Sequence, residues 1–212
     1  MRITKQEHAC LILEVAGKKL VIDPGAYTKA LVGLSDVVAI VITHEHADHW
    51  TPDQLNRIVE RNPDVVIFGP AGVSLAASEF EITVVGNGDR IEAEPFALRF
   101  FGDRHAVIHS SIPVIDNVGV LVNDALYYPG DSFTVPEGVA VSALATPVGA
   151  PWLKIGDAID FVLAVRPQRA FATHEMTLST AGKGLGGDRL RWAVEQVGGE
   201  YIALEPGEAL DL

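Results

Sequence analysis

The stretch Thr43-His44-Glu45-His46-Ala47-Asp48-His49 decides how the rest of this sequence is read. Three histidines and an aspartate crowd into one short segment. Neutral imidazoles and a carboxylate form a donor set suited to Zn²⁺, and equally to Fe or Mn. His44 and His46, two apart just past an apolar run, can point the same way onto one ion. Asp48 and His49 fall on the next turn, within reach of a second ion. As structure alone the segment would be a polar loop with Asp48 capping a helix. That leaves three clustered histidines with no packing purpose.

Working outward, residues 37–42 form a continuous apolar run, as expected for a strand buried on both faces. Downstream, Thr51-Pro52-Asp53 supplies an N-cap, a first-turn proline and an early carboxylate, so a helix opens there and Pro63 ends it. Residues 10–15 and 19–22 read as a hairpin joined at Gly17. Further strand patterns lie at 65–68, 81–85, 96–101, 119–122, 125–128 and 169–173, and helical patterns at 71–77, 157–165 and 188–197. Residues 201–204 and 208–212 flank Pro206-Gly207 and are expected to pair as a terminal hairpin. Strands interleaved with about four helices, without a linker, predict one mixed α/β domain over residues 1–212.

Five of these strands deliver a His or Asp at the carboxyl end. Leu20-Val21-Ile22 leads to Asp23, and Ile40-Val41-Ile42-Thr43 to His44. Residues 96–101 lead to His105, Leu126-Tyr127-Tyr128 to Asp131, and Ala170-Phe171-Ala172-Thr173 to His174. Neighbouring strand ends converge on one edge of a sheet, where sites in α/β proteins form.

Composition bounds the partners. There are 28 acidic against 16 basic residues, a formal charge of −12. So acidic a surface repels phosphate backbones and anionic lipid, which leaves a small molecule as the expected partner. The single cysteine, Cys10, excludes an internal disulfide, and the N-terminus lacks an export-type apolar stretch. A cytoplasmic protein is expected.

With Asp23 upstream and His105, Gly130-Asp131 and Thr173-His174 downstream, the motif resembles the metallo-β-lactamase fold hydrolases, and most of all their small lactonase-like branch. The resemblance runs through nearly the whole chain and implies a four-layer αβ/βα sandwich with a binuclear metal site at one edge. Carried over, it implies that His44, His46 and a third histidine hold the first metal. Asp48, His49 and His174 would hold the second, and Asp131 would bridge the two. The third histidine is either His105 or His109, which share a face; strand-end placement favours His105. Asp23 is either a turn residue or a group orienting an imidazole through its other nitrogen. His8, standing apart, reads as an ordinary surface or core residue.

Two divalent ions, zinc first and manganese or iron next, would lower the pKa of a bridging water and make hydroxide available. The expected reaction is hydrolysis of a small ester, lactone or phosphoester, with Asp48 orienting the hydroxide as well as ligating. Two alternatives remain: an iron-dependent oxidoreductase of the same fold, and a ligand-binding module without catalysis. Gly182-Lys183-Gly184-Leu185-Gly186-Gly187 matches a dinucleotide fingerprint in letters only, since no strand precedes it directly. It is expected to be a flexible loop whose amides and Lys183 hold an anionic part of the substrate. Trp50, Phe133 and Trp152, close in sequence to the ligand segments, are candidates for the pocket wall.

Overall fold

A computed structural model describes residues 1–212. Its first sheet holds β1 (Arg2–Lys5), β2 (Leu11–Val15), β3 (Lys18–Ile22), β4 (Val37–Val41), β5 (Val66–Gly69), β6 (Ile82–Val84) and β14 (Ala209–Asp211), in the order β14-β1-β2-β3-β4-β5-β6. The second holds β7 (Arg90–Ala93), β8 (Phe96–Phe101), β9 (Gly119–Val122), β10 (Leu126–Tyr128), β11 (Ala143–Pro147), β12 (Arg169–Thr173) and β13 (Glu200–Tyr201), in the order β13-β12-β11-β10-β9-β8-β7. Helices α1 (Pro52–Val59) and α2 (Ala71–Ala76) cover the outer face of the first sheet. Helices α3 (Ile155–Val165) and α4 (Thr180–Gln196) cover the second.

Side-chain alternation produces these layers. Leu20 and Ile22 of β3 join Phe96, Phe100 and Phe171 in the core between the sheets. Val21, between them in sequence, points outward and packs with Leu55, Ile58 and Val73 under α1 and α2. In β12, Phe171 faces inward while Ala170 and Ala172 meet Leu190, Ala193 and Val194 of α4. The result is a helix–sheet–sheet–helix sandwich.

Strand direction places the site. β1 is antiparallel to β2, and β2 to β3, while β3, β4 and β5 are parallel. So β1, β3, β4 and β5 run the same way. In the other sheet β8 and β10 both oppose β9, and β10, β11 and β12 are parallel. The carboxyl ends of these strands gather on one edge of each sheet.

Three expectations are corrected. The two terminal strands do not pair with each other: β13 lies parallel to β12, and β14 lies antiparallel to β1 in the opposite sheet. The short β1 offers β14 a free edge and buries Ile3 in the core. Strands β1, β7 and β11, not anticipated from sequence, also complete the sheets. The glycine-rich segment is not a loop but the first turns of α4, with the Ser179 hydroxyl accepting from the Gly182 amide. Glycine costs up to about 1 kcal/mol per helical position. It is tolerated here because a Cβ on Gly187 would fall 2.8 Å from the Tyr201 hydroxyl, so the close packing of α4 needs the small residue.

Candidate metal centre

The HxHxDH segment follows β4 directly. The Thr51 side chain accepts from the Gln54 amide and opens α1, so the motif is strung between a strand end and a capped helix. The turn after β3 passes close beneath it. A Cβ on Gly25 would lie 1.8 Å from the Asp48 carbonyl oxygen, so only glycine permits that approach. Asn117 braces the turn after β10, its amide donating to the Pro129 carbonyl and its oxygen accepting from the Asp131 amide. Nothing in the local sequence marks Asn117 for this task.

Two groups of donors assemble. His44, His46, His105 and Asp131 bring ligand-type atoms within 4.8 Å of one another, and so do His8, Asp48, His49 and His174. Asp131 touches both: its Oδ2 lies 3.1 Å from His174 Nε2 and 3.4 Å from His105 Nε2, and its Oδ1 lies 3.2 Å from His49 Nε2. His46 and Asp48 are half-buried while their partners are buried, so the centre opens towards solvent on their side. His109 is exposed, its Nδ1 turned to the Ser111 hydroxyl and amide.

The outer ring of hydrogen bonds orients the imidazoles. His49 Nδ1 donates to Asp23 Oδ2 at 2.7 Å, and His174 Nδ1 donates to the Gly149 carbonyl at 2.7 Å. His105 Nδ1 donates to the Ala106 carbonyl, and His44 Nδ1 donates to the Thr43 hydroxyl at 3.1 Å. That hydroxyl in turn donates to Asp23 Oδ2 at 2.8 Å, so Asp23 is an orienting group rather than a simple turn residue. In each ring Nδ1 is engaged as the donor to an oxygen, which leaves Nε2 as the atom that can offer a lone pair to a metal. His49 Nε2, His105 Nε2, His174 Nε2 and Asp131 Oδ1 are buried without a hydrogen-bond partner. Orphaned buried polar atoms are costly, and imidazole nitrogens and a carboxylate converging on one another call for a cation. The residues present therefore fit divalent metal.

Electrostatics shows the same demand for positive charge, which protons on His49 and His174 supply in the metal-free chain. Burial would raise the Asp131 pKa, but the His49 and His174 rings around it hold it well below the usual carboxylate range. Burial would likewise raise Asp48, yet the His174 and His8 rings beside its carboxylate keep it lowered. Burial would lower His174, but the Asp131 carboxylate raises it to about 9. His49 is raised well above its ordinary value by Asp131 and Asp23 against the same burial. His44, shielded from solvent and facing other imidazoles, is lowered well below it.

Trp152 donates its indole N–H to Asp131 Oδ2 at 3.0 Å, and Phe133 packs edge-on against it with centroids 5.4 Å apart. Trp50 turns away and packs in the outer core, donating to the Glu45 carbonyl. Lys183 lies 3.7 Å from Glu175 and is paired there rather than free for an anion. His8 corrects the sequence reading outright: its ring is buried beside Asp48 and His174. The signal that would have found it is the strand-end rule, had β1 been recognised as a strand.

A helix–sheet–sheet–helix sandwich with paired histidine–carboxylate groups at one sheet edge is a metallo-β-lactamase fold, a fold whose members bind divalent metals. A family described as the beta-lactamase superfamily domain matches residues 2–174, and the chain belongs to that family. It is 36% identical over 195 residues to Protein Rv0786c of Mycobacterium tuberculosis, covering 90% of this chain and 91% of that one. A hydroxyacylglutathione hydrolase of Xylella fastidiosa is 26% identical over 187 residues, covering 85% of this chain and 64% of the enzyme. Among solved structures, a metallo hydrolase of the archaeon Ignicoccus hospitalis superposes with a TM-score of 0.74 at 20% identity, covering 100% of this chain and 98% of that one. No helix is long and apolar enough to cross a membrane.

Proposed function

We propose that this protein is a metal-dependent hydrolase of a small ester, lactone or phosphoester. The observation that carries the reading is the set of buried, unpartnered Nε2 atoms converging around Asp131. His44, His46 and His105 would hold one divalent ion, Asp48, His49 and His174 a second, with Asp131 between them. Zinc suits this nitrogen-rich set, and manganese or iron would be accepted by the same donors. When bound, two such ions supply Lewis acidity and a water acidified towards neutrality. The chain's own groups do the rest. Asp48, half-buried at the mouth, would orient a water against a substrate carbonyl or phosphoryl group. Trp152 fixes the Asp131 carboxylate through its indole N–H. No serine elbow or exposed cysteine competes as a nucleophile, since Cys10 is buried and burial raises its pKa above the ordinary thiol range. The family membership and the hydrolase named among the relatives support this class of reaction, and the acidic surface favours a small-molecule partner over nucleic acid.

The test is metal content by plasma mass spectrometry on untagged protein, followed by a screen of lactones and phosphodiesters. About two zinc or manganese per chain with hydrolysis that disappears on chelation is expected. Stoichiometric iron with oxygen uptake would replace the reading with an oxidoreductase. Failure to bind metal after reconstitution would leave a binding module.

A further inference from the structure

His8 belongs to the second donor group by distance, yet its hydrogen bonds are arranged in the opposite sense to those of its neighbours. The Met176 amide donates to His8 Nδ1 at 3.3 Å. A neutral imidazole has one donor nitrogen and one acceptor. Because Nδ1 accepts, the proton sits on Nε2, and that atom lies 3.1 Å from Asp48 Oδ2. His44, His49, His105 and His174 each commit Nδ1 as a donor to an oxygen and turn Nε2 to the centre for a metal; His8 commits Nδ1 as an acceptor and keeps its Nε2 proton.

The backbone leaves the ring little freedom. His8 adopts φ 61° and His174 φ 55°, both left-handed conformations unusual for a side-chain-bearing residue. The His8 carbonyl accepts from the His174 amide at 2.8 Å, which ties the two turns together. Beneath them Lys5 Nζ meets Glu175 Oε1 at 2.6 Å and donates to the Leu204 carbonyl at 2.8 Å, both in buried surroundings. The ring is walled by His174 at 3.9 Å between centroids and by the edge of Tyr27 at 4.9 Å. Moving the proton to Nδ1 would set a bare Nε2 against the carboxylate and turn one N–H against another at the Met176 amide. The tautomer is locked.

We propose that His8 is a positioning residue: its Nε2–H holds the Asp48 carboxylate in place for the second metal, and it is not itself a ligand. The role as metal aid rests on the reading that Asp48 helps hold that ion; the donor geometry does not. Asp48 is the one half-buried member of its group and follows the exposed Ala47, so fewer neighbours hold its carboxylate and it gains most from such a tether. Tethers of this kind typically alter metal affinity by about 10–100-fold.

Long-range proton–nitrogen NMR of the metal-free chain reads the tautomer directly. His8 is expected as Nε2–H, and Nδ1–H would overturn the proposal. On zinc addition the Nε2 resonances of His49 and His174 should shift as ligands while His8 keeps its Nε2 proton; loss of that proton would make it a ligand and overturn the proposal. A second arm compares His8→Gln with His8→Ala by competitive metal titration. Both carry a similar left-handed backbone cost, so their difference reads the hydrogen bond, and a glutamine amide can donate from about the position of Nε2. His8→Ala should weaken the second ion about 10–100-fold and leave the first unchanged, with His8→Gln restoring most of the loss. Equal, undiminished binding in both variants would overturn the positioning role. A wild type that takes up no metal would sink the proposed function, while the NMR tautomer would still decide the His8 geometry.

Discussion

Replacing Asp23 with asparagine keeps the shape of a buried side chain and reverses the polarity of one of its atoms. Asp23 Oδ1 accepts from the Thr43 amide at 2.8 Å, while Oδ2 accepts from the Thr43 hydroxyl at 2.8 Å and from His49 Nδ1 at 2.7 Å. The Thr43 amide can only donate, so the carboxamide oxygen must stay on it and the NH₂ must take the place of Oδ2. His49 Nδ1 then faces a donor and must accept, which leaves Nε2 as the atom that must keep the ring's proton. That atom faces Asp131 Oδ1 at 3.2 Å, and protonated it cannot ligate. Losing one charge-assisted hydrogen bond should cost the metal-free fold about 1.5–3 kcal/mol. Metal affinity at the second position should fall about 10–100-fold. At saturating metal such a loss removes a further 1.4–2.7 kcal/mol or about that much of metal-linked stability. Urea unfolding of the metal-free chain measures the first quantity, and competition against a chromophoric chelator the second. Wild-type affinity at both positions in Asp23→Asn would refute the tautomer argument, whatever the unfolding curve shows.

The remaining predictions follow from the same geometry. His105→Ala should lower bound metal by about one ion per chain, whereas His109→Ala should match wild type in plasma mass spectrometry, since only the former ring reaches the centre. Asp131→Ala should lose both ions and hydrolysis together, because its carboxylate touches both groups; retention of either ion would contradict its bridging place. Gly25→Ala should cost about 3 kcal/mol and weaken metal binding too, as its Cβ must displace the Asp48 carbonyl; unchanged thermal unfolding would count against this packing. Metal uptake at neutral pH should release protons. In the metal-free chain the His174 pKa is raised to about 9, so the ring is protonated below that value and the incoming ion must expel the proton. Affinity should therefore rise with pH up to about 9, with release measurable by calorimetry in buffers of different ionisation enthalpy.

His44 to His49 were legible because their spacing is local: a strand end followed at once by a capped helix brings these groups together without help from the rest of the chain. The strand-end rule extended that reading to Asp23, His105, Asp131 and His174. It works because parallel strands carry their carboxyl ends to a common edge whatever separates them in sequence. Helix α1 was equally readable, since Thr51, Pro52 and Asp53 act on the first turn alone. His8 was not, because β1 is four residues long and exists through its pairing with β2 and with β14 from the far end of the chain. Glycines in α4 read as a loop because propensity counts their helical cost and cannot see Tyr201 and Val148 pressing against them. The sequence by itself determined the donor types, the order in which they arrive and the edge they arrive on. Only the tertiary structure decided which histidine completes each group and which nitrogen of each ring faces the centre. Those choices rest on hydrogen bonds to Asp23, Gly149, Ala106 and Met176, most of them distant in sequence from the rings they orient. Strand pairing within each sheet brings Asp23 to His49 and Gly149 to His174, and the approach of the two sheets brings Met176 to His8.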